Sequence, residues 1–464
     1  MIRYLILALF FTNSLSLASN HKIKQKISNL YIANKDVSII VQGVNDAKPI
    51  VSINPNTLRN PASVNKILTT YASLLKLGDN YRWPTKFYIR GKLDKGTLKG
   101  DLIVKGYGNP DLRTEDLSDI VLGLKKKGIK HIKGNLIIDE THFNVSSTNW
   151  TYFDKNTYSP YNATPSAFMF NHHATSLLIK GDRKKNKVRV YRDIPDYSYS
   201  VVNKIKPVKT KCKGRYANPR INIKKGKKVT VIFSGKLSSR CKSIRIYKVL
   251  TTATRSFYAA LKQEFTKKGG SLNGKLLIMK KPKDAKIIYI HKSEKLIDII
   301  AKINKKSNNV MAKQTLLTIG TKHYGKPATI KSGAKAVKSI LRKHNLVDKS
   351  TKIDNGSGLS RTAKINANSL VKLLKHGYKS DYKWMNTLSI MGKDGTLKNR
   401  LKRTKLKNNA WLKTGSLKNV KAVAGYVKAK TGKVYIVVMI VNSNKSSLYP
   451  AIALQDYLLK WVYG

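Results

Sequence analysis

The feature that most constrains the fold of this chain is the placement of its strand patterns, which lie at both ends around a helical middle. Val420–Val427 and Lys433–Asn442 are apolar runs joined by a Lys430-Thr431-Gly432 turn, and Val37–Gly43 is a similar run near the other end. Helical periodicity dominates residues 293–376. Because every strand needs a hydrogen-bonded partner, the two ends are expected to pair. We predict an α/β (α+β) fold whose main sheet joins distant segments, with an insertion between them.

Ser63 is the strongest candidate nucleophile. It lies in the run Asn60–Leu68 at the predicted start of a helix over 63–77, with Lys66 one turn further on the same face. A serine hydroxyl becomes a good nucleophile when a base takes its proton, and an amine three residues along a helix is within reach. The same spacing occurs at Ser73-Lys76 and elsewhere, so spacing alone identifies no site.

Residues 1–18 have the pattern of a cleaved secretory signal. Arg3 gives a basic start, an apolar run follows to Phe11, and Ser16-Leu17-Ala18 offers small residues at a cleavage site. The apolar part is short for a bilayer span, so an uncleaved anchor is the alternative. With 464 residues and 41% hydrophobic composition, the chain can form more than one domain with buried cores.

The charge balance is strongly basic. The sequence has 91 Lys+Arg against 24 Asp+Glu, a net charge of +67, which attracts polyanions such as nucleic acid, anionic lipid or cell-wall polymers. Lysine is spread from end to end, which also fits a solvated surface of biased composition. Arginine-rich stripes and aromatic nucleic-acid motifs are missing from the sequence, and export argues against nucleic acid. We assign the charge a role in surface retention or substrate attraction.

The cysteine and histidine patterns predict a disulfide and no metal site. Cys212 and Cys241 are the only cysteines, and in an exported protein they are expected to pair. The histidines show no His-Glu-x-x-His spacing, and His172-His173 has no Cys or acidic cluster nearby. We therefore predict no metal and no cofactor.

Two short motifs downstream of Ser63 add polar side chains. Ser307-Asn308-Asn309 joins two helical patterns, where short side chains can project into a cleft. Lys413-Thr414-Gly415-Ser416 continues a strand-like run, and its glycine would let a ligand backbone lie close. A second Lys-Thr-Gly at Lys430 falls on a predicted hairpin tip, where Thr-Gly is ordinary turn chemistry.

The order Ser-x-x-Lys, Ser-x-Asn, Lys-Thr-Gly is that of penicillin-interacting serine acyl-enzymes. Flanking segments narrow the resemblance: over nearly the whole mature chain, the sequence resembles the class C low-molecular-mass penicillin-binding proteins, the D-alanyl-D-alanine carboxypeptidase/endopeptidases of peptidase family S13. Asn355 departs from the family pattern by interrupting an expected Asp-Gly-Ser-Gly-Leu-Ser, which could shift that loop. The segments that carry the resemblance are Gly100–Leu102, Gly106–Leu112, Ile138–Phe143, Asp354–Arg361 and Gly392–Arg400.

The resemblance implies a penicillin-binding, transpeptidase-like domain, with an antiparallel sheet flanked by helices, and two smaller β-rich domains inserted in it. The 244 residues from Ser63 to Ser307 leave room for this insertion. The expected organisation after the signal peptide 1–18 is a catalytic domain of 19–88 and 287–464, an inserted domain II of 89–165 and 246–286, and an inserted domain III of 166–245.

The resemblance also implies a periplasmic serine DD-peptidase that acts on peptidoglycan stem peptides. It would remove a terminal D-alanine, cleave D-alanyl cross-links, or both, through an acyl-enzyme that β-lactams trap covalently. Peripheral association with an anionic envelope or membrane surface is expected from the charge, and the oligomeric state stays open. The implied catalytic residues are Ser63, Lys66, Ser307, Asn309 and Lys413, and the implied substrate-binding residues are Thr414, Gly415 and Ser416.

Three other functions compete with this interpretation. A serine β-lactamase shares the three-part site, but the long insertion and the Ser-x-Asn form argue against it. A non-catalytic cationic envelope-binding protein could keep the fold, but the intact Ser63, Lys66 and Lys413 argue against that. A nucleic-acid binder ranks third because of the predicted export.

Overall fold

The computed structural model describes residues 17–145, 153–325, 327–380, 382–444 and 448–464. All but the last two residues of the predicted signal peptide lie outside this part of the chain. The described α-helices are α1 (17–29), α2 (Lys66–Leu77), α3 (Leu117–Lys126), α4 (Ala253–Lys267), α5 (Leu296–Lys306), α6 (Asn309–Tyr324), α7 (Ile330–Lys343), α8 (Ala367–Ser380), α9 (Tyr382–Asn386) and α10 (Leu448–Tyr463).

The described strands fall in two groups at the chain ends and a larger group between them. They are β1 (Val37–Gly43), β2 (Val51–Ile53), β3 (Pro84–Asp94), β4 (Thr97–Gly106), β5 (His131–Ile132), β6 (Leu136–Asp139), β7 (Thr175–Asp182), β8 (Lys187–Arg192), β9 (Tyr199–Val208), β10 (Arg220–Lys224), β11 (Val229–Ser238), β12 (Ile244–Lys248), β13 (Ser271–Leu272), β14 (Leu276–Ile278), β15 (Lys286–Lys292), β16 (Ser389–Ile390), β17 (Ala410–Leu417), β18 (Val420–Lys428) and β19 (Val434–Asn442).

The chain forms two compact units. The first contains the described residues up to Tyr81 together with Glu294–Gly464, and the second is Arg82–Ser293. The first unit therefore combines the two ends of the chain, and the second is a continuous insertion. The subdivision of the insertion into domains II and III stays a prediction.

A six-stranded antiparallel sheet organises the first unit, in the order β16-β17-β18-β19-β1-β2. β1 lies between β2, its neighbour in sequence, and β19, so that Val37 faces Val441 across the ladder. The prediction of one sheet from distant segments is confirmed. The predicted hairpin is β18 and β19, and the second Lys-Thr-Gly lies in its tip with Gly432 at φ +85°.

Helices cover both faces of this sheet, which explains why every residue of β1 is buried. On one face, Ile23 and Ile27 of α1 and Leu454 of α10 share a core with the strands. On the other face, the Tyr426 hydroxyl of β18 donates a hydrogen bond to the Leu374 carbonyl of α8, at 2.7 Å. The alternate residues of each strand thus enter two different helical layers.

The second unit is β-rich, with one large sheet and two small ones. The large sheet runs β13-β5-β4-β3-β15; β6 also pairs with β4, and β14 pairs with β6. Phe257 of α4 and Ile120 of α3 are fully buried against one face of it. The small sheets, β10-β11-β9 and β12-β7-β8, share a separate core that includes Leu177 and Phe233.

A disulfide joins Cys212 to Cys241 within the second unit, as the sequence predicted. Cys241 is 3% exposed and belongs to the core of the small sheets. The bridge therefore ties the irregular segment before β10 to the end of β11. None of the described helices has the length and apolar character needed to cross a bilayer.

We expect reduction of this disulfide to destabilise the second unit. The bond closes a loop with a sequence separation of 29, and a cross-link of that span restricts the unfolded chain by about 3–4 kcal/mol. Urea unfolding of the oxidised and reduced protein measures the change, and Cys212→Ser/Cys241→Ser should behave like the reduced protein. An unchanged midpoint in both would contradict the expectation.

Candidate active site

Ser63 lies in a short 3-10 turn, Ala62–Asn65, that leads directly into α2. The turn begins at Ala62 with φ +46°, a left-handed conformation that an alanine adopts only where its surroundings impose it. The Asn60 side chain accepts a hydrogen bond from the Ala62 N–H at 2.9 Å, and Asn442 of β19 binds the Asn60 backbone through both its amide atoms. The Ser63 turn is therefore fixed to the sheet.

Lys66, the first residue of α2, is fully buried, and its amine has three partners. Nζ lies 3.0 Å from Ser63 Oγ, 2.7 Å from Asn309 Oδ1 and 2.5 Å from the Ser357 carbonyl oxygen. The amide oxygen and the carbonyl can only accept hydrogen bonds, so they take two N–H groups. In a neutral amine, the remaining lone pair then faces the Ser63 hydroxyl.

The surroundings of Lys66 favour that neutral amine. Burial is the main cause that lowers the pKa of Lys66 well below its usual value, and the charges of Lys413 and Lys313 lower it further. A desolvated ammonium loses its hydration, and nearby positive charges repel it. Lys66 is thus suited to accept a proton from Ser63.

The Ser-x-Asn segment sits at a break between α5 and α6. Ser307 ends α5 in the left-handed conformation, with φ +53°. Asn308 then caps α6, its side chain accepting a hydrogen bond from the Met311 N–H at 3.1 Å. This break places Asn309, the first residue of α6, against Lys66, and Ser307 beside Lys413.

Lys413 is the second buried amine of the site. It lies on β17, is fully buried, and donates hydrogen bonds to Ser307 Oγ at 3.0 Å and to the Thr414 carbonyl at 2.9 Å. Burial lowers the pKa of Lys413 to about 7. An anion bound beside it would favour the charged form.

The rest of the Lys-Thr-Gly-Ser segment runs past the Ser63 turn. A Cβ on Gly415 would lie 2.6 Å from the Pro61 carbonyl oxygen, so only glycine permits this approach. The Thr414 and Thr396 hydroxyls are 2.9 Å apart, and the exposed Ser416 hydroxyl accepts a hydrogen bond from Lys421. β16 pairs with β17 only at residues 411 and 412, so in the described part of the chain no strand covers this edge beyond them.

A loop at residues 354–358 closes the site over Lys66. Asn355 Oδ1 accepts hydrogen bonds from the Ser357 N–H at 3.0 Å and the Ser357 hydroxyl at 2.8 Å, and Asn355 Nδ2 donates to the Leu359 carbonyl at 2.9 Å. The Thr69 hydroxyl holds the loop at the Gly356 carbonyl. Asn355, the departure from the family pattern, therefore supports the carbonyl that binds Lys66.

The structure brings all eight predicted site residues to one region of the first unit, and it adds a group that the sequence did not indicate. Lys313 is 1% exposed and lies one helical turn after Asn309 on α6. Burial lowers the pKa of Lys313 to about 7, and the nearby Asp354 carboxylate opposes this. The spacing of four residues from Asn309 was the one available sequence signal, and it is common in a lysine-rich chain.

Two further family-like residues brace the site from outside. Asp394 accepts hydrogen bonds from Lys305 Nζ at 2.6 Å and from the Ile390 N–H at 2.8 Å, which ties α5 to β16. Arg400 instead pairs with Asp456 of α10 at 2.7 Å. Among the described residues, the hydrogen bonds of both side chains go to the surrounding elements and not to Ser63 or Lys66, so their contacts are structural.

A helix-flanked antiparallel sheet, with a serine beside a buried lysine at one end of α2, defines an enzyme of the penicillin-binding fold. The chain belongs to the D-Ala-D-Ala carboxypeptidase 3 (S13) family, whose model matches residues 19–456. It is therefore a hydrolase of the serine-type D-Ala-D-Ala carboxypeptidase class, as the sequence motifs predicted.

Individual relatives agree with this assignment. The chain is 28% identical over 416 residues to the D-alanyl-D-alanine carboxypeptidase DacB of Haemophilus influenzae, covering 88% of this chain and 85% of the relative. It is 24% identical over 412 residues to the D-alanyl-D-alanine carboxypeptidase of Actinomadura sp. strain R39, covering 85% and 75%. The crystal structure of penicillin binding protein 4 (dacB) from Haemophilus influenzae matches with a TM-score of 0.76 and 27% identity, covering 92% and 96%.

We expect Asn355→Ala to destabilise the first unit by about 2–3 kcal/mol, because it removes three hydrogen bonds and leaves buried donors of Ser357 without their acceptor. Urea unfolding measures the loss. Asn386→Ala, at an exposed position of α9, is the matched control and should stay within about 0.5 kcal/mol of the parent. Equal effects of the two substitutions would mean that the loop does not depend on Asn355.

Proposed function

We propose that this enzyme cleaves D-alanyl peptide bonds of peptidoglycan stem peptides through an acyl-enzyme at Ser63. The observation that carries the proposal is the position of Lys66 Nζ, fully buried and 3.0 Å from Ser63 Oγ, with both of its other partners being acceptors. Names of the relatives support the substrate class. The leaving group would be a terminal D-alanine or the amine of a D-alanyl cross-link.

Acylation would begin with proton transfer from the Ser63 hydroxyl to Lys66 Nζ as Oγ attacks the carbonyl carbon. The developing oxyanion would be stabilised by the backbone N–H groups of Ser63 and Ser416, an arrangement in which one donor is typically worth about 10²–10³ in rate. Asn309 and Thr414 would hold the substrate backbone along the uncovered edge of β17.

Expulsion of the leaving amine requires a proton on its nitrogen. Lys413 Nζ donates to Ser307 Oγ, which leaves the Ser307 hydroxyl hydrogen free to point elsewhere. Ser307 would pass this proton to the amine as the C–N bond breaks and regain one from Lys413 Nζ, and the proton that Lys66 took from Ser63 would balance this loss in the pair of amines. Lys413 would also attract the substrate carboxylate, and water would then hydrolyse the ester to regenerate Ser63.

A β-lactam would acylate Ser63 in the same way. Opening of the ring breaks its C–N bond, but the amine stays tethered, so the ester persists. The Haemophilus influenzae relative at 26% identity has a crystal structure in complex with a β-lactam, with a TM-score of 0.72 to this chain. Slow release of penicillin is expected here, in contrast to a β-lactamase.

Location and partners belong to the same proposal. The sequence pattern of residues 1–18 supports export to the periplasm, where the substrate occurs. The net charge of +67 supports electrostatic association with an anionic envelope surface.

Digestion of purified cross-linked muropeptides tests the reaction directly. A protein that labels with penicillin but releases neither D-alanine nor monomers from them would refute the proposed substrate.

Ser63→Ala should abolish covalent labelling by a fluorescent penicillin, because it removes the attacking oxygen. Ser73→Ala is the matched control, since Ser73-Lys76 has the same spacing within α2, the helix that the Ser63 turn leads into, but Ser73 is fully buried. That variant should label like the parent in a gel assay. A folded Ser63→Ala protein that still labels would rule out this nucleophile.

Lys313→Met should move the acid limb of the acylation rate to higher pH. The charge of Lys313 lowers the pKa of Lys66, so its removal raises that pKa, and a higher pH is then needed to obtain the neutral base. Rates of penicillin acylation from about pH 5 to 9 measure the limb. Lys322→Met, an exposed position on the same helix, makes the same change in net charge and should leave the profile unmoved. An acid limb at the same pH in Lys313→Met and the parent would show that Lys313 does not influence the pKa of Lys66.

A further inference from the structure

One long part of the second unit is basic and has no acidic residue. Between Asp196 and Glu264 the sequence has eighteen Lys and Arg residues and no Asp or Glu, although the whole chain has 24 acidic residues. This interval contains the small sheet β10-β11-β9. No acidic residue in this interval can offset the repulsion between its cations. The register of the strands determines which face of the sheet each cation occupies.

The two faces of this sheet differ completely. β10 pairs antiparallel with β11, and β11 pairs parallel with β9. Residues of one parity enter the core: Ile221 and Ile223 of β10, Val231 and Phe233 of β11, and Tyr199 of β9. Residues of the other parity must therefore lie on the opposite face.

Five cations occupy that opposite face. Arg220 and Lys204 flank Ser234 in one row, because Ser234 pairs with both. Lys236 pairs with Lys206 in the next row of the ladder, and Lys224 of β10 pairs with Thr230 two rows away. All five side chains are exposed. Among the described residues, none of them takes part in an ion pair.

The uncharged residues on this face are hydroxyl, amide or apolar side chains. Ser234 and Thr230 offer hydroxyl groups between the cations, and Ile232 pairs with Val202 and Asn222 in the middle row. Strands lie about 4.8 Å apart, and alternate residues along a strand about 7 Å apart. The cations consequently form a two-dimensional array rather than a single row.

We propose that the outer face of β10-β11-β9, defined by Lys204, Lys206, Arg220, Lys224 and Lys236, docks on the surface of an anionic lipid bilayer. A bilayer presents phosphate groups in two dimensions, as this face presents cations, and the central Ile232 and Val202 can approach the interface. This surface gives the proposed envelope association a location and a partner. Each cation is worth about fivefold in membrane affinity, from roughly 1 kcal/mol per residue.

The test compares two quadruple variants of the same net charge in the full protein. Lys204→Gln/Arg220→Gln/Lys224→Gln/Lys236→Gln removes four of the five cations of the array. Lys22→Gln/Lys24→Gln/Lys343→Gln/Lys349→Gln removes four exposed lysines of the first unit. Sedimentation with vesicles of about 30% phosphatidylglycerol in phosphatidylcholine, at about 0.1 M salt, measures binding. Fluorescent penicillin labelling checks the first unit, and circular dichroism with thermal unfolding checks the fold of the second unit, both independently of lipid.

The array variant should lose roughly several hundredfold in vesicle affinity, while the control loses only a few-fold. Both should label with penicillin like the parent, so failure of the docking proposal is distinguishable from failure of the catalytic one. Equal losses in the two variants, or an array variant that still sediments, would overturn the proposal in favour of diffuse attraction. Displacement from vesicles by soluble polyphosphate at equal phosphate concentration would overturn the assignment to a lipid surface.

Discussion

The active site depends on the enclosure of the Lys66 amine. Lys66 Nζ binds the Ser63 hydroxyl of its own turn, the Asn309 side chain and the Ser357 carbonyl, so two distant segments of the chain converge on that turn. An uncharged amine can be enclosed in this way, whereas a bare ammonium would lose several kcal/mol of hydration. Burial of the Lys66 amine and its role as a base therefore both require it to be uncharged.

Three buried lysines in one region would be unfavourable if all were charged. Burial lowers the pKa of each of them, and the charges of Lys313 and Lys413 act on Lys66. The short polar residues between them, Ser307 and Asn309, give the amines hydrogen-bond partners without adding negative charge. The site thus keeps its base neutral mainly through burial, with positive neighbours adding to the effect, and an acidic neighbour would oppose it.

The sequence predicted the elements whose patterns are local. The apolar runs of β18 and β19 and the helix break at Ser307 follow from nearest-neighbour chemistry, and the disulfide follows from there being two cysteines in a chain expected to be exported; the structure confirms all of them. Ser63 was predicted to begin a helix, but it occupies a 3-10 turn, because Asn60 and Asn442 fix the backbone there. The location of Lys313 and Asn355 at the active site depends on tertiary contacts, so sequence spacing could not predict it.

The pairing of β1 with β19 has a consequence for the newly made polypeptide. Val37 cannot pair with Val441 until about four hundred further residues have been synthesised. The Ser63 turn is fixed by hydrogen bonds between Asn60 and Asn442, which lies on the same late strand. Until then the nascent chain contains Ser63 and Lys66 but lacks the strand that fixes their backbone. The hydrolase is consequently silent throughout its own synthesis and becomes competent only when its last strand is in place.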